Sequence, residues 1–139
     1  MKKYLLDTNI CIAILRKNSE IADILAKIAI SQCYISEITL IELKVGEILG
    51  KAKAPQGKFI NQHIDEFVSR LTILPISTTI DFFAEEKVRL QLAGTPAHNN
   101  FDLLIGCTAV VNNMIMVTDN IKDFKNIQGI EIENWMRNS

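Results

Sequence analysis

The sequence lacks the features that mark secreted, membrane-spanning or strongly basic proteins. Its 139 residues carry a formal net charge of −1, which neither indicates a nucleic-acid partner nor excludes one. No uncharged apolar stretch reaches the roughly 20 residues of a membrane-spanning helix, and Asp7 interrupts the first apolar run too early for a signal peptide. We therefore expect a cytoplasmic protein without membrane association, and the length suits a single domain over residues 1–139.

Cysteine is also scarce, and its spacing argues against disulfides and against a zinc site. The sequence has three cysteines, Cys11, Cys33 and Cys107. This odd number, without CxxC spacing, does not fit a disulfide framework or a set of zinc ligands. Each cysteine has apolar neighbours, so we expect reduced thiols in the core of a cytoplasmic protein.

Apolar periodicity predicts short strands that alternate with helices. We expect strands over 3–6, 32–36, 73–76, 114–117 and 129–132, and helices over 10–16, 19–28, 37–49, 59–71, 79–93 and 102–112. Gly50 and Gly94 are expected to end two of these helices. Such alternation is typical of a parallel sheet covered on both faces, which predicts an α/β fold of three layers with a central parallel sheet of four or five strands.

Four acidic residues stand beside or inside apolar runs, where a carboxylate is costly unless it is paired or binds a cation. They are Asp7, Glu42, Asp102 and Asp119. Clustered carboxylates repel one another and cannot all stay ionised without a cation. Oxygen-only ligands suit Mg²⁺ or Mn²⁺. The four acids therefore predict a metal site and metal-assisted hydrolysis of a phosphodiester bond.

Predicted geometry favours the convergence of these acids. Asp7 and Asp119 each follow a predicted strand, and parallel sheets bind ligands at the carboxyl ends of their strands. Glu42 falls on the helical stripe that Ile38, Ile41, Val45 and Leu49 form, which points it inward. Asp102 lies in the first turn of its helix, and Gly106 and Ala109 on the same face are expected to leave room for a hydrated ion.

Each acid also has an ordinary structural explanation. Asp7 is a suitable N-cap, and Asp119 is a common turn residue. Asp102 is a favourable residue at a helix start, and Glu42 could extend to solvent from the edge of its stripe. The combination of all four favours the metal site.

These residues resemble the motifs of PIN-domain ribonucleases, and the chain as a whole resembles the VapC-type toxins of bacterial toxin–antitoxin pairs. The similar segments are 5–9, 41–46, 102–109 and 117–124, followed by a closing strand and Trp within 130–135. They cover nearly the full chain in the order and spacing of the family. The resemblance implies a PIN-like fold and a Mg²⁺-dependent endoribonuclease, with Mn²⁺ as an alternative ion.

The resemblance also implies a set of site residues. The four acids Asp7, Glu42, Asp102 and Asp119 match the family's catalytic and metal-binding positions. Family members often have Asn at the position of Asp119 and an acid at the position of Asp123, so the fourth acid stays open between these two. Further matches near the ion are Thr8, Asn9 and Thr118, together with Arg89, which would face either the site or the antitoxin.

The partners that the resemblance implies are an RNA substrate, a cognate antitoxin protein and a second copy of the chain in a homodimer. Transfer RNA is the first expectation for the substrate of a type II toxin. The helices 19–28 and 59–71 offer apolar surface for such contacts. Candidate cations for RNA are Arg16, Lys17, Lys44, Lys51, Lys53, Lys58, Lys122 and Lys125.

Two other functions remain open at this point. The first is a non-catalytic binding module of the same fold, which the presence of all four acids disfavours. The second is a phosphomonoesterase with a nucleophilic Asp. That class needs a second Asp two residues after the first, and Asn9 occupies this position.

Overall fold

The computed structural model describes residues 1–54 and 63–136. The strands are β1 (Tyr4–Leu6), β2 (Cys33–Ser36), β3 (Thr72–Leu74), β4 (Ile115–Val117) and β5 (Ile132–Glu133). The helices are α1 (Thr8–Leu15), α2 (Ser19–Leu25), α3 (Glu37–Lys53), α4 (Ile64–Ser69), α5 (Ile80–Leu92) and α6 (Asn100–Val111). Short 3₁₀ turns occupy Ile30–Gln32 and Ile121–Asp123.

The strands form one parallel sheet of five strands in the order β3-β2-β1-β4-β5. The central strand is β1, in which Leu5 pairs with Tyr34 of β2 and with Met116 of β4. Parallel strands need crossover connections, usually helices, and the alternation of strands and helices along the chain supplies them. The predicted α/β fold with a central parallel sheet is therefore confirmed.

Helices cover both faces of the sheet, because successive side chains of a strand point to opposite sides. Leu6 joins a core cluster with Ile10 of α1, whereas Leu5 joins a second cluster with Leu103 of α6 and Leu90 of α5. The three layers are therefore helices, sheet and helices. The three cysteines are free and buried, as expected. Within residues 1–54 and 63–136, no helix has the length and apolar character needed to cross a membrane.

Several predicted boundaries are wrong. Gly50 does not end α3, which continues to Lys53; a single helical Gly costs only ~1 kcal/mol relative to Ala, and lysines in the last turn favour the helix dipole. The last strand is Ile132–Glu133 instead of 129–132, because Gly129 has φ +82° and forms a turn. Of the predicted helix 59–71, the structure gives α4, and residues 59–62 lie outside the described ranges.

The predicted apolar stripe of α3 is also wrong. Ile41, Val45 and Leu49 are 47%, 58% and 50% exposed, whereas α3 buries Ile38, Thr39 and Leu43. The inward face of this helix is therefore partly polar, and it is centred on Ile38, Thr39 and Leu43 instead of on the predicted stripe. A helical wheel locates a core face only when the apolar residues of the helix all serve the core.

Most of the apolar surface predicted on the second and fourth helices packs into the core, as far as residues 19–28 and 63–71 show. Ile21 of α2 and Ile64 and Phe67 of α4 are buried in the core cluster around Leu6. Residues Ile24, Leu25 and Ile28 pack against the same cluster. Exposed apolar side chains occur on α3 and α5 instead, where they include Ile41, Val45, Ile48, Leu49, Ile80, Val88 and Leu92.

Candidate active site

Asp7 is held at the carboxyl end of the central strand. Its backbone N–H donates to the carbonyl of Val117 at 2.9 Å, continuing the β1–β4 pairing, and Asp7 is the N-cap of α1. The Thr8 N–H donates to Asp7 Oδ1 and the Thr118 hydroxyl donates to Oδ2, both at 2.8 Å. Both carboxylate oxygens are therefore positioned by neighbours from the ends of β1 and β4.

The carboxyl of Asp7 is buried, with only 6% exposure. Burial is the main cause that raises its pKa above the ordinary value, and the charges of Glu42 and Asp119 act in the same direction. The hydrogen bonds from Thr118 and Thr8 oppose this rise. The fold therefore keeps a carboxylate where its ionised form is unfavourable.

Glu42 reaches the first turn of α1. The Thr8 hydroxyl donates to Glu42 Oε1, and the Thr8 and Thr39 hydroxyl oxygens lie 3.4 Å apart. Glu42 thus points inward as expected, but it does so beside Thr39 and Leu43 instead of within the predicted apolar stripe. Thr8 links Asp7 to Glu42, since its N–H serves one acid and its hydroxyl the other.

Asp102 lies in the first turn of α6, whose N-cap Asn99 accepts backbone N–H groups with its side chain. Burial raises the pKa of Asp102 to about 6, and the charges of Asp7, Glu42 and Asp123 contribute to the rise. Charges from the end of β1, from α3 and from the segment after β4 therefore act on this residue of α6. The structure therefore brings the sequence-predicted acids together.

The two candidates for the fourth acid occupy different parts of the site. Asp119 is exposed and accepts a hydrogen bond from the Asn9 amide, and its charge acts on Asp7. Asp123 is half-buried and accepts from the Asn120 amide, and its charge acts on Asp102. The position of the fourth acid therefore stays open between them.

The chemistry of the site suits a hard divalent cation. Within the described ranges, no three or more His, Cys, Asp or Glu side chains already enclose a point where an ion could sit. The ion pairs found there involve Lys44, Arg70 and Arg89 with other acids, so none neutralises the acids of the site. In addition, Asn9 Oδ1 is buried without a hydrogen-bond partner. Oxygen ligands and uncompensated charge are what Mg²⁺ requires.

Gly106 has a different purpose from the one predicted. A Cβ at this position would collide with Ile127 Cδ1 and lie 3.0 Å from Phe124 Cδ1. The missing side chain therefore leaves room for the segment after β4 to pack on α6, and not for an ion beside Asp102. That segment carries Asp119 and Asp123, so the close packing helps to bring it to α6.

Gly106→Ala should destabilise the protein by up to ~2 kcal/mol, because an extra methyl group in a packed core costs ~1–3 kcal/mol and the higher helix propensity of Ala offsets ~1 kcal/mol of this. Urea unfolding measures this change, with Ala84→Ser on the exposed surface of α5 as the control. An increase in the free energy of unfolding of Gly106→Ala by the full ~1 kcal/mol expected from helix propensity would contradict the packing described here, since it would leave no cost for the contact with Ile127.

Some predicted residues have other partners. Arg89 donates to both carboxylate oxygens of Glu86, at 2.6 and 2.8 Å, instead of contacting an acid of the site. The sequence analysis missed Glu86, although the i,i+3 spacing of the two residues on one helix is a signal of such a pair.

The candidate cations differ in their surroundings. Lys44 pairs with Asp65 and lies near Glu47. Lys122 lines one cleft with Asp102 and Asp123, and Arg16 lines another with Asn9 and Asp119. Lys58 lies outside the described residues.

Comparisons with known proteins agree with this architecture. The family model "PIN domain" matches residues 4–130. The chain is 36% identical over 137 residues to "Ribonuclease VapC2" of Rickettsia felis, covering 95% of this chain and 97% of that protein. It is 34% identical to the "tRNA(fMet)-specific endonuclease VapC" of Salmonella typhimurium, and the match covers 97% of this chain and 99% of that protein.

A crystal structure of DNA-bound VapBC from Salmonella typhimurium superposes with a TM-score of 0.79 and 30% identity, over 97% of this chain and 99% of that one. The VapBC2 structure from Rickettsia felis, bound to a DNA fragment of its promoter, superposes with a TM-score of 0.77 and 34% identity. The match covers 95% of this chain and 98% of that one. The chain therefore belongs to the PIN-domain family and, within it, to the VapC-type group.

Proposed function

We propose that this protein is a Mg²⁺-dependent endoribonuclease and the toxin of a type II toxin–antitoxin pair. The observation that carries the proposal is the convergence of acids from four parts of the fold, none of which forms an ion pair with a Lys or Arg in residues 1–54 and 63–136. Burial raises the pKa of both Asp7 and Asp102. A divalent cation would relieve this unfavourable charge. Mn²⁺ would serve in place of Mg²⁺.

In this proposal Asp7 and Asp102 bind the ion directly. Mg²⁺ supplies charge that holds a phosphodiester and lowers the pKa of a bound water. Glu42, which the Thr8 hydroxyl orients, binds through water or orients the attacking water. Asp119 or Asp123 provides the fourth carboxylate. Thr8, Asn9 and Thr118 orient the acids through the hydrogen bonds described above, as outer-shell partners do in metal sites.

The substrate that we propose is transfer RNA. The relatives from Salmonella typhimurium and Shigella flexneri carry the name tRNA(fMet)-specific endonuclease, which supports this choice over other RNA. Arg16 and Lys122, each in a cleft beside an acid of the site, are the cations best placed to contact phosphates.

Two protein partners belong to the proposal. A cognate antitoxin is supported by the solved VapBC structures that this fold resembles. A homodimer is supported by the exposed apolar side chains of α3 and α5, because exposed apolar patches mark interaction sites. We place the protein in the cytoplasm, because its three buried cysteines are free thiols and the cytoplasm keeps thiols reduced.

The proposal is tested by incubating the purified protein with total tRNA in Mg²⁺, in EDTA, and in EDTA followed by excess Mg²⁺. We expect internal cuts that EDTA abolishes and Mg²⁺ restores, and sequencing of the new ends identifies the substrate. Retention of RNA on the protein without any cleavage in Mg²⁺ or Mn²⁺ would instead establish a non-catalytic binding module. If the protein cleaves other RNA but leaves tRNA intact, tRNA is rejected as the substrate and the proposed nuclease activity is retained.

A further inference from the structure

An ion pair on α5, between the buried Glu86 and the partly exposed Arg89, binds the backbone of the segment that follows β4. Glu86 is only 2% exposed and is bound by Arg89 through both of its carboxylate oxygens. The Gln128 N–H donates to Glu86 Oε2 at 3.0 Å. Arg89 Nη2 donates to the Asn126 carbonyl at 2.8 Å. Each member of the pair therefore holds one backbone group of the same three-residue stretch.

This stretch belongs to the segment 119–128, which carries both candidates for the fourth acid. The segment contains only a short 3₁₀ turn as regular structure. Its apolar residues Phe124 and Ile127 are buried, and they are the groups next to Gly106. Asp123, Asn126 and Ile127 line the same cleft as Asp102. The ion pair thus holds the segment at the edge of the cleft that contains two acids of the site.

Stability alone is a poor explanation for such a pair. A pair with one exposed member contributes little to stability, because solvent screens its attraction, and the desolvation of the buried Glu86 charge offsets part of the remainder. What apolar side chains cannot reproduce here is the binding of one N–H and one C=O of the segment. Asn126 and Gln128 are themselves exposed, so water can satisfy these groups if the pair is absent. The segment would then keep the packing of Phe124 and Ile127 but lose both backbone contacts that fix residues 126–128.

We propose that Glu86 and Arg89 are positioning residues of the proposed nuclease site, which hold residues 126–128 and thereby place Asp123 in the cleft beside Asp102. This inference rests on the proposed function for its catalytic consequence, but not for the anchoring itself. Supporting residues of this kind typically change metal affinity or activity by about 10- to 100-fold, although neither side chain contacts the ion or the substrate.

The test compares the wild type with Glu86→Gln and with the double variant Glu86→Leu, Arg89→Met, which removes the charges but keeps apolar bulk. Ile21→Val, in the core cluster on the other face of the sheet, is the control for general destabilisation. Amide hydrogen exchange followed by mass spectrometry measures the protection of 119–128, and calorimetric titration with Mn²⁺ alone measures metal affinity. Unfolding in urea measures the stability of each variant.

We expect both variants to exchange amides of 119–128 at least about tenfold faster and to bind Mn²⁺ about 10-fold more weakly, while Ile21→Val leaves both unchanged. The double variant should show these losses even where its free energy of unfolding equals that of the wild type. Unchanged exchange in this segment, or losses that follow stability in all variants including Ile21→Val, would overturn the proposal. If the wild type neither binds Mn²⁺ nor cleaves RNA, the proposed function fails, and the exchange measurement still decides the anchoring.

Discussion

Asp7→Asn should lower RNA cleavage by ~10³-fold or more, because loss of the carboxylate that we propose as a metal ligand would remove several kcal/mol of transition-state stabilisation. The same variant should remain folded. Asn keeps an oxygen that can accept the Thr8 N–H, and the Thr118 hydroxyl can turn to accept from the new amide. Asn is also an effective N-cap for α1.

The stability of Asp7→Asn should be equal to or greater than that of the wild type at neutral pH in the absence of metal. Burial raises the pKa of Asp7, so its ionised form opposes folding, and Asn carries no charge. Cleavage of tRNA and urea unfolding, measured on one preparation, test the two halves of the prediction. Asp23→Asn, an exposed acid on α2, is the matched control and should change neither.

The result that would reject the role of Asp7 is cleavage by Asp7→Asn at a rate close to the wild type. A large loss of stability would instead show that its charge supports the fold. The same cleavage assay on Asp119→Asn and Asp123→Asn decides which of the two is the fourth acid, since the one that binds the ion should show the larger loss.

Asp102→Asn should cause a loss of cleavage of similar size, ~10³-fold, and should also change how stability depends on pH. The pKa of Asp102 in the folded protein is raised to about 6. The folded carboxyl therefore holds its proton more tightly than the unfolded one. It follows that its contribution to the free energy of unfolding is most favourable below the ordinary pKa and decreases as pH rises to the folded value and just beyond.

Unfolding in urea from pH 4 to pH 7.5, without divalent ions, measures this dependence. The wild type should lose stability over this range relative to Asp102→Asn. Asp7, whose pKa is raised, and Glu86, whose pKa is lowered, contribute with opposite signs to the profiles of both proteins, so the difference between the profiles is what tests Asp102. Addition of Mg²⁺ at pH 7.5 should stabilise the wild type by mass action and should have little effect on Asp102→Asn. Identical pH profiles for the two proteins would show that Asp102 is not in the electrostatic environment described here.

The predictions that succeeded rest on local patterns. Asp7 follows a run of buried strand residues and begins a helix, so its position at a strand end could be read from neighbouring residues. Asp102 likewise follows from the start of an apolar helix. The strand order need not be known to predict that the two acids lie at the same edge of the sheet. Parallel strands with helical crossovers bring all their carboxyl ends to one edge.

The predictions that failed depend on packing between distant residues. Nothing near Gly106 in the sequence indicates that Phe124 and Ile127 press against it, so its small size suggested space for an ion. Ile41 and Val45 are apolar yet exposed, and the helical wheel of α3 assigned them to the core. The i,i+3 spacing of Glu86 and Arg89 could have indicated their pairing, but the contact of Glu86 with the backbone of Gln128, across some 40 positions, is one that a single sequence does not reveal.

The central position of β1 in the sheet limits how far the protein can fold during its synthesis. Leu6 pairs with Val117, and the Asp7 carboxylate receives its bond from Thr118. Because β4 is synthesised near the end of the chain, β1 cannot pair with it until almost the whole polypeptide has emerged from the ribosome. A nascent chain that stops before residue 118 cannot complete the cluster of acids, so a truncated translation product should lack the proposed nuclease activity.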